Sequence, residues 1–529
     1  MTKKQLLILV LINLFIAVGF FIENNGTGFT QLSSDLHNSI PVCYKIDDNS
    51  LFQKDLYLYD VKNVKYYTPF YIETIRFFAK CANGDYLLGI NIFATVLHLI
   101  YGFLWFLLFY KIFKNFSIAL FLSILIRGVV WLPGFEIWGI SDLWTMMPRT
   151  MYAAFMPLPF IFLFNKTKIS FFISAFLIGF IFNFHPITGM GGLLIYALLI
   201  FMYCFFNKHK ISFQSIFIAI LLLILGAIPF LSTYFFQTNN AVIYDVAEYN
   251  NAFLFRINSF FVEPISFFKL WFAFKILFFF IPIVLYYLYA QLFDKKHLKN
   301  ALILILISFF TILIPSISIY VEKEINLLFN MNLRMAFQII RAQKLAILPG
   351  FVAMGYLLNI AVNKNQLFKK GFSLILPIFL IAIFFSKETI FRNVPFFKDD
   401  ISTSIFPDYK LFFASKEVKQ TNMDIMLDYI KQNSTKKDVF YGSFIIRSAC
   451  KRSVVLDGKG ASMLIEGNPV QLIQWYHETN QYELLSKKGK ISFLKYKKGV
   501  THILSKENLD LNQVILVHQI DNLKLYKII

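Results

Sequence analysis

The chain has 529 residues, of which 57% are hydrophobic, 19% aromatic and only 16% charged. That balance falls outside the range of soluble domains and makes a bilayer the natural solvent. The formal charge of +20 does not point to nucleic acid, because many lysines stand in short pairs between apolar runs, as cytoplasmic anchors do.

Residues 5–22 form the first apolar run, behind Lys3 and Lys4. No small-residue cleavage site precedes the polar stretch from Glu23, so the run reads as an uncleaved helix. The polar loop 23–87 follows, and then runs of roughly spanning length near 88–110, 116–133, 150–165, 169–184, 188–206, 212–236, 266–291, 299–320, 343–362 and 371–386. They predict an all-α polytopic membrane domain of about eleven transmembrane helices. Lysines set its orientation. With the N-terminus inside, alternate connections carry Lys3, Lys4, Lys111, Lys114, Lys166, Lys168, Lys208, Lys210, Lys295, Lys296, Lys299, Lys364, Lys369 and Lys370 against the single acid Asp294. Positive charge is retained on the cytoplasmic side, so the C-terminus is expected outside and the protein in the cell's inner (plasma) membrane.

The outer segments are longer and mixed in charge. The largest is 23–87, followed by 237–265, 321–342 and 134–149. From about 399 the membrane pattern stops and short strand-like runs begin, at Val439–Phe444, Ser453–Asp457 and Val514–His518, with an amphipathic helix over Asn422–Gln432 and a turn at Asp521-Asn522. The expected division is a membrane domain over 1–398 and a small extracytoplasmic α/β domain over 399–529. Cys43, Cys81 and Cys450 fall on the outer side, where oxidation is permitted. Cys43 and Cys81 are either paired within the first loop or free.

Ionisable groups at membrane depth are costly, which makes their positions informative. Arg127 lies in the outer half of the third span, Arg149 precedes the fourth, His185 closes the fifth and Lys275 sits in the outer half of the eighth. Arg334, Gln338 and Arg341 share one helical stripe, with Lys344 nearly a turn beyond. Such a basic collar suits a phosphate or pyrophosphate at the outer leaflet, since Arg binds two oxygens at once. The same residues also fit as anchors on lipid headgroups, the reading favoured for Lys275 and Lys344. His185, in Phe184-His185-Pro186, either serves a tight turn or hydrogen-bonds a sugar or pyrophosphate oxygen. The first loop supplies Asp35, Asp47, Asp48, Asp55 and Asp60. A carboxylate held at the bilayer surface serves as a general base or a metal ligand. Asp35 stands out because the partly apolar stretch Leu36 to Tyr44 follows it, and Asp55 has similar surroundings. Walker A, dinucleotide-binding, zinc-protease and serine-hydrolase signatures are absent from the sequence.

Ser34-Asp35 with its following stretch, Asp48 to Asp55, Pro148-Arg149-Thr150, His185-Pro186, Arg341 before a span, and Arg452-Ser-Val-Val-Leu-Asp457-Gly-Lys459 together resemble the GT-C class of membrane glycosyltransferases, in its bacterial members. The resemblance covers most of the chain in layout through short motifs. It implies transfer of a sugar from a polyprenyl-phosphate donor to a glycan, lipid or protein acceptor outside the cytoplasm, with no nucleic acid involved. It implies Asp35 as catalytic acid of the first loop with Asp55 second, and Arg149, His185, Arg334 and Arg341 around the donor phosphate. Asp35 is followed by Leu36, whereas some members have two adjacent acids early in that loop, and the pair Asp47-Asp48 comes later. The class has metal-dependent and metal-independent members, so the cofactor stays unknown, a divalent metal included. A lipid-linked oligosaccharide transporter or polymerase, or a non-catalytic envelope assembly protein, is the alternative to an enzyme.

Overall fold

The computed structural model describes residues 1–64, 69–128, 130–131, 136–137, 146–165, 167–207, 211–236, 243–257, 261–272, 274–329, 332–366, 368–372, 420–509 and 512–529. Two compact units emerge, each assembled from separate stretches. One comprises Met1–Asn25, Asn91–Phe230 and Phe260–Lys416, and the other Gly26–Ile90, Leu231–Ser259 and Glu417–Ile529. All but the first two residues of the expected span 371–386, the boundary at 398/399, Lys166, Lys208, Lys210, the side chain of Lys275 and most of the loop 134–149 lie outside the described residues.

The first unit is mainly helical, with one short antiparallel pairing of Val130–Trp131 with Glu136–Ile137. Among the described residues, six helices are long and apolar enough to cross a membrane: Lys3–Asn24, Tyr86–Phe113, Pro186–Phe206, Phe213–Tyr234, Lys295–Phe329 and Ala336–Lys364. Shorter apolar helices cover Phe116–Leu125, Lys168–Phe182 and Phe279–Leu292. The chain is thus a multi-pass membrane protein. Local chemistry sets the ends and breaks. Thr2 and Gln5 close a capping box on the first helix. The run at 150–165 splits into helices Pro148–Phe155 and Pro157–Leu163, since Pro157 and Pro159 are tolerated only in a first turn. The run at 299–320 extends instead into Leu298–Phe329, because Val321 to Phe329 keeps helix-forming residues past the apolar stretch.

Small residues let these helices touch at the backbone. A Cβ on Gly179 would sit 2.0 Å from the Leu223 carbonyl oxygen, and one on Gly226 would sit 2.4 Å from that of Phe176. Asn183 fastens the contact by donating to the Gly226 carbonyl at 2.8 Å and accepting the Phe230 amide at 2.8 Å, just after Pro229 interrupts the helix's own ladder. The last long span is irregular. After the turn Ala336–Ile339 it runs as a 3₁₀-helix over Ile340–Ile347 before the α-helix Leu348–Lys364. Eight residues is long for this conformation. The expected α-helical stripe is therefore replaced: Arg334 precedes the helix, while Arg341 and Lys344 lie three apart in a 3₁₀ row.

The second unit centres on a five-stranded sheet of β1 (Val439–Tyr441), β2 (Ser453–Val454), β3 (His502–Ser505), β4 (Val514–Ile520) and β5 (Leu523–Ile528), in the order β2-β1-β3-β5-β4. Strand β1 pairs in parallel with β2 and β3, while β5 runs antiparallel to β3 and β4. The expected strand at Val439–Phe444 is shorter because the chain turns into the helix Ile445–Cys450. Asp521 adopts the positive φ of 47° needed to join β4 to β5 tightly. Met426, Phe440, Ile446 and Val454, all 0% exposed, make the core under the helix Asn422–Asn433.

The loop after the first helix and the helix Val246–Arg256 fold into this same unit. Thr30 Oγ1 donates to Asp424 Oδ2 at 2.7 Å, and the first-loop helix Leu36–Asp47 rests on Ile445–Cys450. Helix Val246–Arg256 packs on Pro469–Leu484, and its Tyr249 hydroxyl donates to the Ile465 carbonyl at 2.9 Å. Cys43 is buried and Cys81 exposed, and both are free thiols.

Candidate active site

The second unit brings both candidate catalytic acids against one C-terminal segment, Arg447 to Lys459. Asp35 immediately precedes the helix Leu36–Asp47, and its carboxylate is 3.0 Å from Lys459 Nζ, with 32% of the side chain exposed. Lys459 also donates to Ser34 Oγ at 3.2 Å. Asp55 is placed differently. Its carboxylate is fully buried, and Oδ2 accepts Arg447 Nε at 2.7 Å and the Val454 amide at 2.8 Å, while Oδ1 accepts the amides of Tyr57 and Leu58. Burial pushes the Asp55 carboxyl up from its ordinary range, against the pull of Arg447 and the Val454 amide.

Arg447 links the two sites. It donates to Asp457 and to the Val454 carbonyl, with its guanidinium over the Tyr57 ring at 5.0 Å. Asp457 in turn caps the helix Gly458–Gly467 by accepting the Gly460 amide at 2.6 Å. Burial opposes the charge on Arg447, but Asp457 and Asp55 outweigh it and hold the guanidinium above its usual value. His37, one helical position beyond Leu36, is buried with Nδ1 2.7 Å from Ser448 Oγ. Burial, with the Lys459 charge nearby, lowers its pKa to about 4.

The remaining loop acids are on the exposed side. Asp47 accepts Arg76 at 2.5 Å and 3.0 Å. Asp48 pairs with Lys436 at 2.7 Å, and this hydrogen bond, with two from Ser50, holds its carboxyl below the carboxylate range. Asp60 accepts the Lys62 amide. Among the described residues, no group of three or more His, Cys, Asp or Glu side chains gathers where a metal ion would sit.

In the first unit, Arg149, His185, Arg334 and Arg341 are all half-buried. Their elements are neighbours: helix Pro186–Asn207 packs on Pro148–Phe155, on Ala336–Ile339 and on the 3₁₀ run. The approach is close, since a Cβ on Gly191 would lie 3.0 Å from the Ala342 carbonyl oxygen. His185 Nδ1 accepts the Thr188 amide at 3.2 Å and so caps its helix, which puts the proton of the neutral ring on Nε2. The Arg341 guanidinium stacks on Phe261 at 4.2 Å. Arg127 has another environment. It is 1% exposed and donates to Asn13 Oδ1 at 2.7 Å, His98 Nδ1 at 2.9 Å and the His98 carbonyl at 3.1 Å. These contacts tie three helices together through a cation in the bundle interior.

Sequence reasoning singled out Asp35, Asp55 and the Asp457-Gly-Lys459 motif but missed Arg447 and His37. A lone Arg within the apolar Phe444-Ile-Ile-Arg-Ser-Ala-Cys450 is the signal for a buried cation with partners elsewhere.

The fold is shared with solved structures of two other proteins. The crystal structure of ArnT from Cupriavidus metallidurans bound to undecaprenyl phosphate is similar with a TM-score of 0.51 and 11% identity, covering 99% of this chain and 98% of that one. Its apo form gives 0.51 at 9% identity with the same coverage. The Archaeoglobus fulgidus oligosaccharyltransferase tethered to an acceptor peptide containing the NVT sequon gives 0.50 at 10% identity, over 95% of this chain and 69% of that one. No protein-family model and no curated protein matches the sequence.

Proposed function

We propose that the protein is a glycosyltransferase that moves a sugar from a polyprenyl-phosphate donor to an acceptor outside the cytoplasm. The observation that carries this reading is a fold matched almost end to end by a structure bound to undecaprenyl phosphate, in which the loop after the first apolar helix presents the partly exposed Asp35 at a helix start. In the reaction, Asp35 takes the proton of the acceptor hydroxyl as that oxygen bonds to the anomeric carbon. The bond from that carbon to the phosphate oxygen breaks, and polyprenyl phosphate departs. Arg149, Arg334 and Arg341, with the Nε2–H of His185, stabilise the phosphate as its charge grows. Asp55, buried between Arg447 and Val454, suits a supporting role better than proton transfer.

The proposal includes about eleven spans over residues 1–398, an inner-membrane location with the N-terminus in the cytoplasm, and residues 399–529 outside it. The lysine bias between spans supports this orientation. The test is release of undecaprenyl phosphate by purified full-length protein from a panel of labelled undecaprenyl-phosphate sugars, with envelope lipid extract as acceptor. Turnover that depends on Asp35 supports the reading. No turnover of any donor transfers support to a transporter or assembly protein.

A further inference from the structure

We propose that Lys459 is a positioning residue for Asp35, so that the C-terminal α/β fold completes the catalytic loop; the inference rests on the reading of Asp35 as base. An exposed lysine-carboxylate pair by itself is weak and mobile. This pair differs because the root of the lysine is pinned from several directions. Asp457 caps the helix that begins at Gly458, and buried Arg447 grips Asp457. Arg256 Nε donates to the Gly458 carbonyl, and Arg256 Nη2 to Ser462 Oγ at 3.0 Å. Ser462 Oγ donates to the Lys459 carbonyl at 2.6 Å.

The ammonium is thereby delivered to a fixed point, where it holds Ser34 Oγ at 3.2 Å and Asp35 Oδ1 at 3.0 Å. Ser34 and Asp35 belong to the polar turn before the helix Leu36–Asp47. A base has to keep its carboxylate aimed at the acceptor oxygen, and an error of about 1 Å in such placement costs about a hundredfold in rate. Lys459 supplies that aim, and the Asp55–Arg447–Asp457 network supplies the rigidity behind it. Asp35 and Asp55 are thus both held by one C-terminal segment.

The experiment uses full-length protein and the same panel of labelled undecaprenyl-phosphate sugars. Lys459→Met is expected to lower kcat about ten- to hundredfold with donor KM nearly unchanged, and Lys459→Arg to recover most of the loss. Because Lys459 acts through Asp35, adding Lys459→Met to Asp35→Asn is expected to cost less than about twofold more. Ser34→Ala removes the second contact of the ammonium without touching the helix, and gives a smaller loss, again confined to kcat, should Lys459→Met fail to fold. Wild-type kcat in Lys459→Met and Ser34→Ala, or a Lys459→Met loss that multiplies in full on Asp35→Asn, overturns the proposal. A fully active Asp35→Asn overturns the base assignment instead, whereas an inactive Asp35→Asn beside a fully active Lys459→Met overturns only the role of the lysine.

Discussion

Replacing Arg447 by methionine removes the cation that Asp55 and Asp457 share. The side chains of Arg447 and Asp55 are 0% exposed and that of Asp457 6%, so water does not take over when the guanidinium leaves. Breaking a buried pair by removing one partner costs about 3–5 kcal/mol, and here the Val454 carbonyl loses a donor as well. Cys450 gives a direct readout, because it lies on the Arg447 helix, is 2% exposed, and has its thiol pushed up to about 12 by burial. Its reaction with a maleimide therefore waits for the helix to open. With Cys43, Cys81 and Cys204 replaced by alanine, Arg447→Met is expected to speed Cys450 labelling by about two to four powers of ten, at about 1.4 kcal/mol per factor of ten. A rate within about threefold of the parent, some 0.7 kcal/mol on the same scale, refutes the claim that this triad holds the unit together.

His37 provides a pH test. Its folded-state pKa is lowered to about 4, so the unfolded chain takes up a proton near 6.5 while the folded one does not. The stability is present above pH 6.5 and is lost as pH falls toward 4, by about 3 kcal/mol at most, and His37→Gln should flatten that part of the detergent unfolding curve. A single cysteine at Lys168 in a cysteine-free chain should label only from the cytoplasm and one at Asn433 only from outside; labelling of both from one side removes the topology. Arg149→Lys and Arg341→Lys keep the charge but lose the planar two-oxygen contact, so both should weaken binding of an undecaprenyl-phosphate sugar by about tenfold; unchanged affinity in both makes them headgroup anchors.

The membrane character, the apolar runs and the C-terminal strands were legible because burial in lipid or under a sheet leaves long or alternating patterns. The irregularities were less so. Pro157 and Pro159 announce the break they cause, but nothing in Ile340–Ile347 marks a 3₁₀ run, which is imposed by packing against Leu298–Phe329 and Pro186–Asn207. Asp35 was legible as a polar residue before a partly apolar stretch. Its lysine, 424 residues away, was not, since ion pairing at that separation leaves no local pattern. The same holds for Asp55 and Arg447, whose isolation in apolar surroundings signals a partner without naming it. Loop 23–87 read as a separate outer segment because sequence order says nothing of the C-terminal helices on which it folds.

Asp35→Asn tests the proposed role of Asp35 as the base of a polyprenyl-phosphate-dependent sugar transfer, because the substitution removes proton acceptance while nearly preserving size. Release of undecaprenyl phosphate from the labelled donors should fall by about two to four powers of ten, with donor binding and membrane insertion retained, and Asp55→Asn should cost transfer less. Full transfer by Asp35→Asn contradicts the account and moves the search to Asp55, Asp47 and Asp48.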